Sequence, residues 1–410
     1  METKAKGLLL IGDGLGDRRC PELDDQTPLE AAVKPNMDRL AAQGEVGLMD
    51  PISPGVRAGS DTAHLSMLGF DPYKCYTGRG PFEAMGIGLD VKQGDVAFRC
   101  NFGTVSDDFT ITDRRAGRIT EGTHELALAI DGMEIEGVKV LFKESVAHRA
   151  GMVLRGEGLG DKVSEIDPHT EGLKLMTATG ADPASEKTAR VLNLFAQESY
   201  QRLKDHPVNV ARREKGLPPA NIILPRGAGF APHLGSFEAK HHMKGACIVE
   251  VGLVKGIGRY LGMTVIDVPG ATGGLDTDTH AIGRAVVEAF KDHDWVLCNV
   301  KGPDIAGHDG NPKGKVEIIE KIDTMVGYLI EHLPAETTIA ITGDHSTPCS
   351  VGDHTGEPVP ILFWGPAVRG DNVQTFGERT AYQGAICRIP GTAIVPTFTS
   401  YMGCGEKFGA

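Results

Sequence analysis

Residues 7–13 read GLLLIGD, a short run of apolar residues that ends in a carboxylate. An uninterrupted apolar run of this length, bounded by glycine, is typical of a strand buried on both faces of a parallel sheet. The same pattern recurs late in the chain, at 295–300 before Asp304, at 338–342 before Asp344, and at 359–364. These strands would deliver polar residues into loops at their ends.

Apolar residues between the second and third of these segments recur at helical spacing. They are Ile319, Ile322, Val326, Leu329, Ile330 and Leu333. A helix here would be the crossover between parallel neighbours. We therefore predict an α/β core with a mostly parallel sheet flanked by helices. Ligands of such sheets collect outside the carboxyl ends of the strands, which is where the polar residues fall.

Residues 86–270 follow a different pattern, with alternating short strands, a helix that begins after Asp182-Pro183, and a passage rich in Pro and Gly at 216–229. We interpret residues 86–270 as an inserted, smaller α+β domain. The core domain would then consist of residues 1–85 and 271–410. A chain of 410 residues is long enough for both domains to bury their own cores.

The composition excludes several classes of partner. The formal net charge is 42 − 55 = −13, which disfavours binding to nucleic acid and to anionic membranes. No apolar run approaches the roughly 18 residues of a membrane span, and the run at 7–11 is too short for a signal-peptide core. The eight cysteines include no Cys-x-x-Cys pair, so neither a disulfide scaffold nor a thiolate zinc site is indicated. We expect a cytoplasmic protein with reduced cysteines, and a homo-oligomer is compatible with this composition.

A first candidate for metal binding is Asp304-x-x-x-His308. The spacing lets a carboxylate and an imidazole reach one ion from a helical turn or a tight loop, and the flanking Gly302, Pro303 and Gly307 favour a loop. In isolation, a capping Asp beside a surface His is the more common explanation of such a match.

A stronger candidate is Asp344-His345, followed by His354. The pair directly ends a strand that looks buried, although two ordinary loop histidines with satisfied hydrogen bonds remain an alternative. A mixed set of carboxylates and imidazoles suits Mn, Zn, Co or Fe better than Ca, and Mg if waters complete its shell.

Ser60 lies in the segment RAGSDTAHL at 57–65, where residues 61–68, ended by Gly69, predict a short helix. Ser60 would stand at or just before the helix N-terminus, where amides and the helix dipole favour a phosphate. A nearby divalent ion could then make its hydroxyl a nucleophile. The alternative is that Ser60 is only an N-cap.

Taken in order, these segments resemble the alkaline phosphatase superfamily. Within that superfamily, the segments at 57–65, 69–73 (GFDPY) and 76–84 (YTGRGPFEA) resemble the archaeal-type cofactor-independent phosphoglycerate mutases. The similarity extends through 97–102, 221–229 and 269–273, and so covers nearly the whole chain.

The resemblance implies an alkaline-phosphatase-like fold and two divalent metal ions, with manganese favoured and Zn, Co or Mg as alternatives. It implies that one ion is held by Asp13, Ser60, Asp344 and His345, and the other by Asp304, His308 and His354. Basic residues in segments similar to the family's substrate clamp are Arg114, Arg118, His148, Arg149, Arg226 and Lys255. The alternative for these basic residues is ordinary solvated surface charge.

The activity that the resemblance implies is an isomerase reaction of glycolysis and gluconeogenesis. It interconverts 3-phosphoglycerate and 2-phosphoglycerate through a phosphoserine at Ser60, without bisphosphoglycerate. From residue type alone, His64 or an acidic residue of the insert such as Asp113 is a candidate for carrying the proton between the two glycerate oxygens. Alternatives within the superfamily are a metal-dependent phosphatase, a phosphopentomutase, and a homoserine kinase, although the chain has no Gly-x-x-x-x-Gly-Lys-Ser/Thr loop. From another class, the chain could be a non-catalytic metal-binding protein.

Overall fold

The computed structural model describes residues 5–232, 234–407 and 409. In chain order, the strands are β1 (Lys6–Gly12), β2 (Glu45–Asp50), β3 (Val96–Val105), β4 (Ile111–Asp113), β5 (Glu134–Ile135), β6 (Val138–Glu144), β7 (Arg149–Arg155), β8 (Ile222–Phe230), β9 (Gly245–Val249), β10 (Thr264–Val265), β11 (Trp295–Val300), β12 (Thr337–Thr342), β13 (Val359–Trp364) and β14 (Cys387–Pro390).

The helices are α1 (Pro28–Ala31), α2 (Pro35–Gln43), α3 (Ser60–Met67), α4 (Pro72–Cys75), α5 (Gly80–Gly86), α6 (Thr123–Ile130), α7 (Pro183–Leu203), α8 (Pro207–Glu214), α9 (Phe237–His241), α10 (Gly252–Tyr260), α11 (Thr279–Ala289), α12 (Gly302–His308), α13 (Pro312–His332), α14 (Glu378–Ala381) and α15 (Ile394–Tyr401). Short 3-10 helices occur at Pro21–Leu23, Ala116–Arg118 and Gly391–Ala393. Among the described residues, no helix is long and apolar enough to cross a membrane.

The chain divides into two compact units. The core unit consists of Met1–Tyr76 and Gly235–Ala410, and the insert unit of Thr77–Leu234. The core unit contains a sheet in the order β10-β9-β11-β1-β12-β13-β2-β14. The five strands from β10 to β12 are mutually parallel, and β13 then pairs antiparallel with both β12 and β2. The predicted α/β class with a mostly parallel sheet is confirmed.

The core of this unit is formed by apolar strand residues and by the helices that cover them. Leu8 and Leu10 of β1 are fully buried and belong to one apolar cluster with Ile322 and Val326 of α13. The helix predicted from the apolar periodicity is therefore present as α13. It does not connect neighbouring strands, because β1 lies between β11 and β12.

The insert unit is α+β, as predicted. Its sheet has the order β4-β3-β7-β6-β5, with β8 paired to β3, and every pair in it is antiparallel. One apolar cluster joins this sheet to the helices, for example Phe98 and Phe102 of β3 with Phe195 of α7.

The predicted domain boundaries need correction at both ends. The sequence pattern places residues 235–270 in the insert, but β9 pairs with β11 in the large sheet and β10 pairs with β9. Their apolar residues are therefore part of the core unit. At the first boundary, α5 belongs to the insert unit, because Gly80 packs against the backbone of Ala97 so closely that a Cβ would overlap it.

Candidate active site

The candidate site lies at the carboxyl ends of three adjacent parallel strands. Asp13 follows β1, Asp304 lies on α12 just after β11, and Asp344 follows β12. Because β1 pairs with β11 on one side and β12 on the other, the three carboxylates arrive at one edge of the sheet. The Asp13 N–H donates to the Val300 carbonyl at 2.9 Å, which fixes the start of the first loop.

Gly14 lets the loop after β1 approach the other two carboxylates. It has a φ of +61°, and a Cβ there would lie 2.8 Å from Oδ1 of Asp304 and 2.6 Å from Oγ1 of Thr347. Its N–H donates to Oδ1 of Asp344 at 2.9 Å. A side chain at this position would therefore separate the loops that carry the site.

The first set of candidate ligands, which we call the Asp304 group, consists of Asp304, His308 and His354. Nε2 of His308 lies 3.4 Å from Oδ2 of Asp304, and Nε2 of His354 lies 3.5 Å from Oδ1 of Asp304. One coordinating atom from each residue lies within 4.8 Å of the others. α12 is a short helix and not the predicted loop, because Pro303 occupies its first turn, where a missing N–H costs nothing.

The imidazoles of the Asp304 group are each held by a hydrogen bond at Nδ1. Nδ1 of His308 donates to the Gly352 carbonyl at 2.9 Å, and Nδ1 of His354 donates to the Ala58 carbonyl at 2.8 Å. A proton on Nδ1 leaves the Nε2 lone pair of a neutral ring facing the carboxylate, which is how metal-binding histidines are usually held.

The second set, the Asp13 group, consists of Asp13, Ser60, Asp344 and His345. All four side chains are buried, with exposed fractions of 8% for Ser60 and at most 1% for the others. Nε2 of His345 lies 3.2 Å from Oγ of Ser60, 3.2 Å from Oδ2 of Asp344 and 3.8 Å from Oδ1 of Asp13. Side chains from opposite ends of the chain therefore converge on one small volume.

Two observations show that the donor sets fit divalent ions. The buried Oδ2 of Asp344 makes no hydrogen bond with any described residue, although Nε2 of His345 lies 3.2 Å from it. Such an orphaned carboxylate oxygen is costly unless a cation or a proton donor faces it. In addition, Asp304 lies close enough to Asp13 and His345 for one atom of each to fall within 4.8 Å. The two groups are therefore neighbours.

Ser60 is the first residue of α3, and Gly59 is the N-cap. The alternative that Ser60 serves only as an N-cap is therefore wrong, since its hydroxyl faces His345 instead. His64, one turn later, is fully buried. Its Nδ1–H donates to the Ser60 carbonyl at 2.6 Å, and its Nε2 accepts from Nδ2 of Asn299 at 3.1 Å. Because both ring nitrogens are engaged away from solvent, the predicted proton-shuttle role of His64 is not supported.

Lys301 is a site residue that the sequence interpretation missed. Its Nζ lies 2.8 Å from Oδ1 of Asp13 and 2.6 Å from Oδ2 of Asp304, so it bridges the two ligand groups. Although burial opposes the charge of Lys301, the carboxylates of Asp13 and Asp304 raise its pKa. A signal was available in the sequence, because Lys301 directly follows β11, as Asp13 follows β1.

The buried carboxylates differ in their preference for the proton. Burial and the neighbouring Asp344 carboxylate raise the pKa of Asp13. For Asp344, burial works against ionisation, but the adjacent His345 outweighs it and lowers the pKa. Burial likewise opposes ionisation of Asp304, yet His354 and Lys301 lower its pKa. Without bound cations, the site is therefore an electrostatically crowded cluster that gains from added positive charge.

The insert unit contains a cluster of basic residues around β3 and β8. Arg99 and Arg226 stand opposite each other in the register of these strands. Burial and this mutual repulsion lower the pKa of Arg99, and Nε of Arg226 is buried without a hydrogen-bond partner among the described residues. Burial and Arg149 lower the pKa of His148, whose Nδ1 is also buried and unpartnered in the described structure. Such a cluster favours an anion, and Arg99 was not among the predicted residues.

Other predicted clamp residues are placed differently. Arg114 makes a bidentate ion pair with the fully buried Asp167, at 2.9 and 2.5 Å, so its guanidinium is committed to a structural partner. Arg118 and Arg149 are exposed. Lys255 lies on α10 of the core unit and not in the insert, and its Nζ is 2.5 Å from Oδ1 of Asp267.

Comparison with known proteins identifies the family. A family model described as 2,3-bisphosphoglycerate-independent phosphoglycerate mutase matches residues 41–209. The 2,3-bisphosphoglycerate-independent phosphoglycerate mutase 1 of Methanothermobacter thermautotrophicus is 55% identical, with 99% of this chain and 100% of the relative covered. A relative with the same enzyme name from Methanosphaera stadtmanae is 50% identical, again with 99% and 100% covered.

Two solved structures are also similar over almost the full length. The PH0037 protein of Pyrococcus horikoshii is 42% identical with a TM-score of 0.86, covering 99% of this chain and 100% of that chain. The cofactor-independent phosphoglycerate mutase of Thermoplasma acidophilum is 39% identical with a TM-score of 0.77, covering 97% and 100%. Full-length identity at this level shows that the chain belongs to the 2,3-bisphosphoglycerate-independent phosphoglycerate mutases, as its motifs predicted.

Proposed function

We propose that this chain interconverts 3-phosphoglycerate and 2-phosphoglycerate with Ser60 as the transient phosphoryl acceptor and without bisphosphoglycerate. The observation that carries the proposal is the position of Ser60. Its hydroxyl stands at the N-terminus of α3, 3.2 Å from Nε2 of His345, beside two groups of carboxylates and imidazoles. Such a hydroxyl is placed for nucleophilic attack on phosphorus.

The Asp13 group would hold one divalent ion and the Asp304 group the other. Bound there, the ions would withdraw charge from the phosphate oxygens and favour ionisation of the attacking hydroxyl. Because the donors combine carboxylates with imidazoles, we propose Mn²⁺ as the resident ion, with Zn²⁺, Co²⁺ or Mg²⁺ as substitutes.

In the proposed reaction, Oγ of Ser60 attacks the phosphorus and the bond between phosphorus and the glycerate oxygen breaks. The products of this half-reaction are phosphoserine and glycerate, and the released glycerate oxygen takes up one proton as the Ser60 hydroxyl gives up its own. The second half-reaction is the reverse with the other glycerate hydroxyl, which loses its proton as it attacks the phosphoserine. The first amides of α3 stabilise the phosphoryl group throughout, because a helix N-terminus favours an anion.

The glycerate must stay bound while the phosphoryl group is on Ser60, since its loss would turn the mutase into a phosphatase. We propose that the basic cluster of the insert unit retains it, with Arg226, Arg99 and His148 as its central members. Buried and unpartnered donors, such as Nε of Arg226, gain most from an anionic carboxylate. Arg118, Arg149 and Lys255 would contribute less specific positive charge, and Arg114 mainly structure.

The proposal is tested by following conversion of 3-phosphoglycerate to 2-phosphoglycerate with Mn²⁺ present and bisphosphoglycerate absent. Ser60→Ala should lose activity by at least about a thousandfold, because the nucleophile is gone. Ser66→Ala is the matched control on the same helix, since Oγ of Ser66 is buried and has no hydrogen-bond partner among the described residues. Full turnover by Ser60→Ala, or release of inorganic phosphate as the main reaction, would contradict the proposal.

A further inference from the structure

We infer that Thr347 is a positioning residue whose single hydroxyl couples the two ligand groups of the site. The inference rests on the proposed metal-binding role of Asp304 and His345. Oγ1 of Thr347 lies 2.7 Å from Oδ1 of Asp304 and 3.0 Å from Nδ1 of His345. One of these side chains belongs to the Asp304 group and the other to the Asp13 group.

The direction of both hydrogen bonds follows from the chemistry of the three groups. An ionised carboxylate only accepts, so the one hydroxyl proton of Thr347 goes to Asp304. The oxygen of the same hydroxyl must then accept from Nδ1–H of His345. A neutral His345 consequently carries its proton on Nδ1 and presents the free lone pair of Nε2 to Ser60 and Asp13.

The hydroxyl is held in place by the packing around Thr347, which is fully buried. Its N–H donates to the Gly16 carbonyl at 3.0 Å, and its carbonyl accepts from Nζ of Lys315 at 3.0 Å. Lys315 is itself fully buried and paired with Asp17 at 2.8 Å, so this anchor is strong. Burying Lys315 and Asp17 costs desolvation free energy, and fixing the position of Thr347 would account for that cost.

Two glycines show how tightly the hydroxyl is enclosed. A Cβ on Gly307 of α12 would overlap the Thr347 carbonyl oxygen and lie 2.9 Å from its Cγ2. A Cβ on Gly14 would lie 2.6 Å from its Oγ1. Thr347 therefore packs directly on the two elements that carry Asp304 and Asp13. A shift of its side chain would displace residues of both ligand groups.

The expected consequence is that removal of this hydroxyl weakens metal binding at both groups. Hydrogen bonds from surrounding residues to metal ligands commonly contribute about 10- to 100-fold in affinity. Thr347→Val keeps the shape and removes the hydroxyl, whereas Thr347→Ser keeps the hydroxyl. A matched control is Thr337→Val on β12, because Oγ1 of Thr337 is buried and forms no hydrogen bond with the described residues.

The test is a titration of the metal-free full-length protein with Mn²⁺. Binding is measured by calorimetry and, independently, by the electron paramagnetic resonance signal of the free Mn²⁺. We expect two ions per chain in the wild type, with both affinities about 10- to 100-fold lower in Thr347→Val. Thr347→Ser should stay within about threefold of the wild type, and Thr337→Val should be unchanged. Weakening of one ion only, or of neither, would overturn the coupling role.

A second measurement needs no substitution and therefore covers the case in which Thr347→Val does not fold. In the wild-type protein labelled with ¹⁵N-histidine, the long-range proton–nitrogen spectrum should report the Nδ1–H tautomer for His345. The Nε2–H tautomer would refute the inference. Neither readout involves phosphoglycerate. If the proposed mutase function is wrong, the turnover assay will show it, and the metal titration will still test the role of Thr347.

Discussion

Lys301→Met should destabilise the metal-free protein strongly and the metal-loaded protein only slightly. Methionine keeps much of the length of the lysine side chain but removes its charge. In the wild type, Nζ of Lys301 bridges Oδ1 of Asp13 at 2.8 Å and Oδ2 of Asp304 at 2.6 Å. Both carboxylates are buried, with exposed side-chain fractions of 0% and 2%, so water cannot replace the lost charge.

The size of the effect follows from these distances. At 2.8 Å and an effective dielectric constant near 20, the gross attraction of one such pair is about 6 kcal/mol. Because desolvation offsets part of that attraction, removal of one partner of a buried pair typically costs about 3–5 kcal/mol. For a unit of this size, a loss of about 3 kcal/mol lowers Tm by about 6–12 °C. Bound divalent ions would supply positive charge to the same carboxylates and reduce the loss.

The assay is thermal unfolding of the wild type and Lys301→Met, each in excess EDTA and in excess Mn²⁺. Lys34→Met is the control, because Lys34 is also buried and paired with a carboxylate, that of Asp38 at 3.1 Å, but Asp38 belongs to neither ligand group. Its destabilisation should be the same with and without metal. We also expect Lys301→Met to bind Mn²⁺ more tightly, since the ammonium no longer competes for Asp13 and Asp304. Equal destabilisation of Lys301→Met in EDTA and in Mn²⁺ would refute this reasoning.

Three further predictions concern other parts of the molecule. Arg226→Met should lower kcat/KM for phosphoglycerate by about 100-fold without changing Mn²⁺ affinity. Arg118→Met, at an exposed position, should change kcat/KM by less than about threefold. Burial lowers the pKa of His241 from 6.5 to about 4. As the pH falls, His241 is therefore protonated in the unfolded chain before it is protonated in the folded protein. This difference lowers the free energy of unfolding by about 1–2 kcal/mol between pH 7 and pH 5. Urea midpoints at the two pH values should show that loss in the wild type and a smaller one in His241→Gln. Gly307→Ala should displace Thr347 and weaken Mn²⁺ binding in the titration described above, and unchanged binding would contradict the packing argument.

The sequence alone was informative about the core because its signals are local. An apolar run that ends in a polar loop, such as residues 7–13, identifies both a buried parallel strand and the place where its ligands gather. This pattern identified three candidate metal ligands, Asp13, Asp344 and His345. Their assignment to individual metal ions stays a prediction, although the structure places them together.

The extent of the insert could not be read from the sequence. Residues 235–270 contain short apolar segments and glycines that look like those of the insert. Only the pairing of β9 with β11 shows that they belong to the large sheet. Strand pairing between segments distant in the chain depends on the packing of the whole core, which local propensity does not report.

What the sequence by itself determined is the class of fold and the family, and it selected candidate metal ligands, since these follow from residue type and local pattern. The tertiary structure decided which buried groups meet. Lys301 joins Asp304, three residues away, to Asp13 near the other end of the chain, and Thr347 joins His345, two residues away, to Asp304 on another element, all at 3.0 Å or less. A hydrogen bond or ion pair is lost when its atoms separate by a further ångström or so, so only the packed backbone can establish these contacts.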